Sequence, residues 1–370
     1  MNTAEEVVKK DLGYIVRSLN SEFGKMAGKH VLITGGAGFL GYYLVRSLLN
    51  HNEYVPDHDA IRITVYDNYI RGVPDWLDSV RNDDHVILQE HDVTRPLPAH
   101  MADYQYIICA ASIASPLYYR KYPLETMDAN VNGLRHLLDY ARRQKEKARP
   151  VDGFLFFSTS EIYGDPDKDH IPTPETYRGN VSSIGPRACY DESKRYGETL
   201  CVTFARQYGL PVTIARPFNN YGPGLKITDR RVIPDFMRDV LEGNNIIMYS
   251  DGNPSRTFCY IADAVIGYFK ILAHGRPGEA YNIGVEDPEI TMRELAETIV
   301  RVGSRQSAYN GRVIREQSTD SDYLVDNPSR RCPMIAKARK EIGYDPSIGL
   351  EEGLIRSFLW YKGNQEAIEA

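Results

Sequence analysis

The sequence predicts an α/β fold, a doubly wound parallel sheet with a smaller C-terminal α/β substrate-binding lobe. Three observations predict it. Short apolar runs alternate with helix-length stretches between residues 30 and 216. A glycine-rich turn, Thr34-Gly35-Gly36-Ala37-Gly38-Phe39-Leu40-Gly41, joins the first run to the first helical stretch. An acidic residue, Asp67, closes the second run. Strands that alternate with helices pair in parallel and are covered on both faces.

Taken in order, residues 1–27 precede the first strand, and Val8, Leu12, Ile15 and Leu19 recur there at helical spacing. That apolar stripe predicts an amphipathic helix packed on the body of the protein or on a second subunit. Val31-Leu32-Ile33 is the first strand and 39–49 a helix. Residues 61–66, rich in β-branched side chains, form the second strand. Val86-Ile87-Leu88 and Tyr106-Ile107-Ile108 are the third and fourth, and a long helix covers 124–143. Residues 154–157 are the fifth strand, 190–207 a helix and Val212-Thr213-Ile214 the sixth strand. After Arg216 the regularity breaks at Pro217, Gly222, Pro223 and Gly224. Helices are expected at 232–241, 292–302 and 335–342. Residues 258–285, with a helix at 261–272 and a strand at Tyr281-Asn282-Ile283, are expected to return to the main sheet. The division is therefore 1–27, a dinucleotide-binding domain at 28–216, and a mainly substrate-binding lobe at 217–370.

Bulk properties narrow the function. The chain has 370 residues, 42% hydrophobic and 25% charged, with a net charge of −6. That balance disfavours a nucleic-acid or membrane surface. Five dispersed cysteines without a C-x-x-C pair read as reduced thiols of a cytoplasmic protein with no metal site. No apolar run approaches the ~20 residues that a membrane span needs.

The glycine turn follows a strand and opens a helix, the order of a Rossmann-type unit. Glycines 35, 38 and 41 allow a tight turn, a close approach to a pyrophosphate and tight helix–strand packing. The helix N-terminus then offers free N–H groups to the phosphates. Asp67 can accept hydrogen bonds from a ribose and would repel a 2′-phosphate, so NAD is expected over NADP. The candidate cofactor set is Gly35, Gly38, Phe39, Leu40 and Gly41, then Asp67 and Asn68, Asp92 and Val93, and Ala110 and Ala111. Asp92 fits an adenine bracket and a turn residue equally well.

Tyr190 and Lys194, four residues apart, share a helical face. A nearby ammonium lowers a phenol's pKa, so tyrosinate can take a proton from a sugar hydroxyl. Both residues also belong to the cofactor set. Thr159 ends the fifth strand, where strand ends face the cofactor crevice.

Several stretches carry a resemblance to a known family. They are Ser158-Thr159-Ser160-Glu161-Ile162-Tyr163-Gly164-Asp165-Pro166, Arg187-Ala188-Cys189-Tyr190-Asp191-Glu192-Ser193-Lys194-Arg195, Phe218-Asn219-Asn220-Tyr221-Gly222-Pro223, Arg256-Thr257-Phe258 and Arg330-Arg331-Cys332-Pro333. From about residue 29 to 360 the chain resembles an extended short-chain dehydrogenase/reductase of the nucleotide-sugar branch. Within it the chain is most similar to UDP-glucuronic acid decarboxylases (UDP-xylose synthases). The resemblance implies that Thr159 and Tyr190 contact the C4 hydroxyl, with Tyr190 the base and Lys194 on the nicotinamide ribose. Glu161 and Arg331 act near C5 and the carboxylate. The resemblance further implies that Asn219 and Arg256 hold the diphosphate side, that Ser160 and Arg187 bind the substrate, and that Arg231 faces either nucleotide or solvent. It also implies a UDP-linked substrate and a homodimer formed through the helices at 124–143 and 190–207.

The implied chemistry is oxidation at C4, loss of carbon dioxide from the β-keto acid, and re-reduction to a pentose. A 4-epimerase or a 4,6-dehydratase is the alternative. The related dehydratases carry Asp-Glu where this chain has Ser160-Glu161. Serine is too weak an acid to protonate a departing hydroxyl. The chain departs from the decarboxylase pattern at Gly224, where arginine is common, at Met334, and in the stretch 320–329.

Overall fold

Seven strands form one parallel sheet in the computed structural model, which describes residues 3–318, 320, 322 and 325–364. Residues 321, 323 and 324 of the divergent stretch, and both extreme ends of the chain, lie outside the described residues. The first six strands are β1 (His30–Thr34), β2 (Arg62–Asp67), β3 (Val86–Glu90), β4 (Tyr106–Cys109), β5 (Gly153–Phe157) and β6 (Val212–Pro217). The spatial order is β3-β2-β1-β4-β5-β6, followed by the strand Ala280–Ile283. Every residue of β1, β4 and β5 is buried, as expected of strands covered on both faces. Thr34 pairs with Tyr66 on one side and Cys109 on the other, so Gly35, Asp67 and Ala110 emerge at one level. The order reverses between β1 and β4, and a crevice opens outside the carboxyl ends there.

The expected N-terminal helix is two helices, α1 (Ala4–Ser18) and α2 (Asn20–Met26), with the chain turning at the fully buried Leu19. The apolar stripe is used within the chain. Val7, Val8, Leu12 and Ile15 are buried on α1, which packs on α3 (Phe39–Asn52) and on the helices Ile261–His274 and Leu350–Gly363. A polar knot pins this contact. Asp11 is fully buried, accepts hydrogen bonds from the hydroxyls of Tyr43 (2.6 Å) and Tyr260 (2.5 Å), and pairs with Arg356.

The helix expected over 124–143 is modified in the middle. Pro123–Asp128 continues through one wide π turn, Ala129–Gly133, into Leu134–Glu146. Two asparagines and a glycine there have low helix propensity. Asn130 is buried and donates to the Ser193 hydroxyl at 2.9 Å, which in turn donates to the Tyr190 carbonyl at 3.0 Å. The π turn thus ties this helix to the one that carries Tyr190, Ala188–Tyr208.

Beyond β6, Ala280–Ile283 pairs with β6, and the helix Ile261–His274 covers β5 and β6. The expected helix from Met292 extends to Ser307 and begins with a Thr291–Glu294 capping box. A small three-stranded sheet sets Arg330–Arg331 beside Ser255–Arg256 in parallel register, Arg331 against Arg256. Among the described residues no helix is long and apolar enough to cross a membrane.

Candidate active site

A continuous cleft of ≈ 2660 Å³ runs along the carboxyl edge of the sheet, from the glycine turn to Arg331. At the turn, Gly35 has φ +72°, and a Cβ there would lie 2.6 Å from the Ala111 backbone. Gly41 lies outside the cleft lining, where a Cβ would meet the Gly36 carbonyl oxygen at 2.0 Å, so it serves helix–strand packing. Gly38 caps α3 without a side-chain hydrogen bond, which leaves the helix N–H groups facing the cleft with Phe39 and Leu40. Asp67 accepts from the Ala37 N–H (3.0 Å) and the Tyr69 N–H (2.9 Å) and still borders the cleft. Burial raises its carboxyl above the usual range, and these two N–H groups pull it back.

Asn68, Ala110 and Ala111 line the same wall. Asp92 accepts from the Thr94 N–H (2.9 Å) as a turn residue does, and it lines the cleft beside Val93. The Ser112 and Ser158 hydroxyl oxygens are buried at the cleft without a hydrogen-bond partner among the described residues. A backbone cradle, an open helix N-terminus, a carboxylate and unmet hydroxyls are a donor set that fits a dinucleotide.

Tyr190 and Lys194 face the cleft from one helix, 6% and 2% exposed. Thr159 sits beside the Tyr190 phenol and pulls its pKa down, and its hydroxyl oxygen accepts from the Glu161 N–H at 3.2 Å. The expected tuning of the phenol by Lys194 differs here. Lys194 Nζ donates to the Phe157 carbonyl at 2.7 Å and sits 5.8 Å from the Tyr190 ring centroid. Burial pushes the phenol up to about 12, with Thr159 and Arg231 pulling it down only in part. Burial also pushes the Lys194 ammonium down to about 8. Desolvation is therefore the dominant influence on this phenol.

Three arginines gather on Glu161. Arg331 holds it in a bidentate fork, Nη1 to Oε1 at 2.7 Å and Nη2 to Oε2 at 2.5 Å, and Arg187 Nη2 meets the same Oε2. Side-chain exposure is 17% for Glu161, 12% for Arg187 and 10% for Arg331, so this is a shielded cluster. Burial raises the Glu161 carboxyl, but Arg187, Arg331 and Arg256 outweigh it and hold it down at about 2. Asn219, at φ +42°, donates to the Thr257 carbonyl at 2.8 Å and accepts weakly from Arg331 at 3.4 Å.

Arg256 is no solvated surface charge, being 7% exposed at the cleft. Its donors go to the carbonyls of Ser255, Pro328 and Ser329 and to Asn327, so in this state it holds that segment in place. Arg231 lines the cleft and pairs with Asp229 at 2.9 Å. Ser160 is 3% exposed and lies beside Glu161.

Two residues were not singled out by sequence. Tyr119 stacks on Tyr190 with ring centroids 5.1 Å apart and planes 10° apart, and its buried hydroxyl has no partner among the described residues. Asp191 lies behind Arg187, its Oδ2 3.8 Å from Arg187 Nε. The signal for Asp191 was its place between Tyr190 and Lys194, and Tyr119 had none beyond the stretch after the fourth strand.

Residues 31–284 match the NAD dependent epimerase/dehydratase family. The chain belongs to that family. Among curated members it is 36% identical over 335 residues to UDP-glucuronic acid decarboxylase 5 of Arabidopsis thaliana, covering 90% of this chain and 89% of the relative. It is 33% identical over 344 residues to UDP-glucuronic acid decarboxylase 1 of Xenopus tropicalis, covering 91% of this chain and 73% of that one. Among solved structures, a dTDP-glucose 4,6-dehydratase of Streptomyces venezuelae with NAD bound superposes with a TM-score of 0.76 at 26% identity, covering 91% of this chain and 98% of that one. As a member of the epimerase/dehydratase family the protein is an NAD-dependent enzyme.

Proposed function

We propose that the protein is a UDP-glucuronate decarboxylase that yields a UDP-pentose. The observation that carries the reading is the cluster at the end of β5. Glu161 is flanked by Ser160 where a dehydratase needs a second carboxylic acid, and it sits among Arg187, Arg331 and Arg256, an excess of positive charge suited to a sugar carboxylate. The similarity to curated decarboxylases supports it.

NAD, when bound, would accept and return the C4 hydride; between those events the C4 ketone makes the C6 carboxyl a β-keto acid, carbon dioxide leaves, and the enolate left behind takes a proton at C5 from water before the hydride returns. Gly35, Gly38, the α3 N-terminus and Asp67 would hold the dinucleotide. Tyr190, beside Thr159, takes the C4 hydroxyl proton and later returns it to the same oxygen. Lys194 orients the nicotinamide end. Arg331, with Arg187, orients the carboxylate, and Glu161 remains ionised beside it. Ser160 cannot protonate a departing C6 oxygen, which disfavours dehydration. Asn219, Arg231 and Arg256 form the diphosphate and nucleotide side, and residues 217–370 mainly supply the substrate-binding lobe.

We also infer a cytoplasmic homodimer formed through the helices Pro123–Asp128, Leu134–Glu146 and Ala188–Tyr208. Leu124, 67% exposed, and Tyr196, 50% exposed, lie on those helices. Light scattering of the purified protein tests the dimer.

Incubation with UDP-glucuronate and NAD, followed by mass spectrometry, tests the activity. A nucleotide sugar lighter by carbon dioxide, absent with Tyr190→Phe, is expected. Unchanged mass with a new retention time would mean epimerisation, and loss of water would mean dehydration. Either would overturn the reading.

A further inference from the structure

Behind the arginines lies a carboxyl that the proposed chemistry does not use. Asp191 is 5% exposed and, unlike its neighbours Arg187 and Tyr190, does not line the cleft. It sits one helical turn after Arg187 on the helix Ala188–Tyr208. Its Oδ2 is 3.8 Å from Arg187 Nε, beyond hydrogen-bond reach. Arg187 Nε and Asp191 Oδ1 are both buried, and neither has a hydrogen-bond partner among the described residues. A donor and an acceptor left unmet on facing groups is an arrangement that calls for an explanation. Arg187 turns its terminal nitrogen to Glu161 instead, although Arg331 already grips that carboxylate with two nitrogens. One carboxylate thus hydrogen-bonds two guanidinium groups, while the carboxyl beside them is only in longer ion-pair range of Arg187 and hydrogen-bonds neither.

We propose that Asp191 is a positioning residue that sets the site's preference for a carboxylated sugar: neutral, it leaves the charge of Arg187 to Glu161 and the incoming carboxylate, and once ionised it draws Arg187 back and weakens the hold on that carboxylate. This rests on the decarboxylase reading for the identity of the substrate. The shift required of Arg187 is small, because the distance from Nε to Oδ2 exceeds a hydrogen bond by about 1 Å.

The surroundings favour the neutral form at neutral pH. Burial, then the charge of Glu161, push the Asp191 carboxyl up to about 8, against the pull of Arg187 and Arg331. The groups that face it are Glu161 from the turn after β5, Arg187 and Tyr190 from its own helix, and Arg331 from the strand Arg330–Arg331. Asp326, from the segment before that strand, Tyr119, from the helix Pro116–Lys121, and Cys189, from its own helix, face it as well. Lys194 titrates in the same range but lies on the nicotinamide side, and it affects sugars with and without a carboxylate alike. A bound carboxylate adds negative charge near Asp191, so binding should draw a proton onto it.

The test is binding to NAD-loaded Tyr190→Phe protein, which cannot turn over, measured by calorimetry with UDP-glucuronate and with UDP-glucose. The ratio of the two affinities isolates the carboxylate. It is expected to be flat below about pH 8 and to fall toward about tenfold per pH unit above it, the slope of a single proton. With Asp191→Asn added, a neutral side chain of the same shape, the ratio should stay flat and high throughout. A flat ratio with Asp191 intact, or an equal fall in the Asn variant, overturns the proposal. Should the Asn variant not fold, the Asp191-intact protein still decides. Calorimetry in two buffers of different ionisation enthalpy at about pH 8.5 should show uptake approaching one proton with UDP-glucuronate and not with UDP-glucose. Equal uptake with both overturns it. The decarboxylase reading fails separately, by unmodified protein leaving UDP-glucuronate unchanged in mass. Carbon dioxide release with a flat affinity ratio would remove only the role of Asp191.

Discussion

A phenol that must give up its proton sits where burial resists ionisation. Tyr190 is pushed up to about 12 and Lys194 down to about 8, so the free chain holds a neutral phenol at neutral pH. Ultraviolet difference spectra of the NAD-free protein against Tyr190→Phe should therefore show no phenolate from this residue below about pH 10. Addition of NAD, whose oxidised nicotinamide is cationic, should move that titration to lower pH. Phenolate at neutral pH in the free chain would show that the ammonium outweighs burial after all. Replacing Tyr190 with Phe should lower kcat/KM by about 10²–10⁴-fold, the usual loss for a general base, while NAD binding persists. Gly224 shows why one family position differs here. It has φ +89°, and a Cβ would lie 2.8 Å from the Tyr42 ring. Tyr42 thus occupies the space an arginine side chain would need to enter. Gly224→Arg should cost about 1–3 kcal/mol in denaturant unfolding, the range for strained backbone, and part of that loss should be recovered by adding Tyr42→Ala.

At the scale of elements, the sheet was legible and the polar ties between elements were not. Apolar runs such as Val31-Leu32-Ile33, punctuated by glycine and by Asp67, identify strands because a covered parallel strand has no polar face to confuse the pattern. The interval 124–143 reads as one helix because two asparagines and a glycine lower helix propensity without specifying a π turn. The Asn130–Ser193 hydrogen bond that accompanies it spans 63 residues of sequence. Glu161 and Arg331 are 170 residues apart, so their fork was available only through resemblance. The bond from Lys194 to the Phe157 carbonyl has no sequence signature at all. The docking of α1 belongs to this scale too. Its charge pair with Arg356 is fully buried, with side-chain exposures of 4% and 0%. Asp11→Ala would leave Arg356, Tyr43 and Tyr260 without their shared acceptor. The expected loss is about 3–5 kcal/mol of unfolding free energy, measured by urea titration.

For the whole molecule, the cleft couples stability to ligand. NAD binds the folded chain alone, so at about 100-fold over its dissociation constant it should add about 2.7 kcal/mol and raise Tm. NADP at the same concentration should raise it much less, because a carboxylate at the end of β2 would repel a 2′-phosphate. Equal shifts from both would show that Asp67 does not discriminate. The α/β class follows from element order alone, whereas the reversal between β1 and β4 is seen only in the pairing of the strands. Nor does the placement of Arg256 follow from that order. A forked donor beside an anionic substrate site is the natural sequence reading, and the hydrogen bonds of its nitrogens to the carbonyls of residues 255, 328 and 329 have no sequence signature.

The polar knot on α1 has a consequence for how the protein is made. Asp11 is translated 249 residues before Tyr260 and 345 before Arg356. At ribosomal speeds of about 5–20 residues per second, that second interval lasts roughly 20–70 s. For that time Val8, Leu12 and Ile15 have no completed seat and must wait in solvent or with a chaperone. A nascent chain arrested before Arg356 should thus leave α1 open to protease, and release past Gly363 should close it.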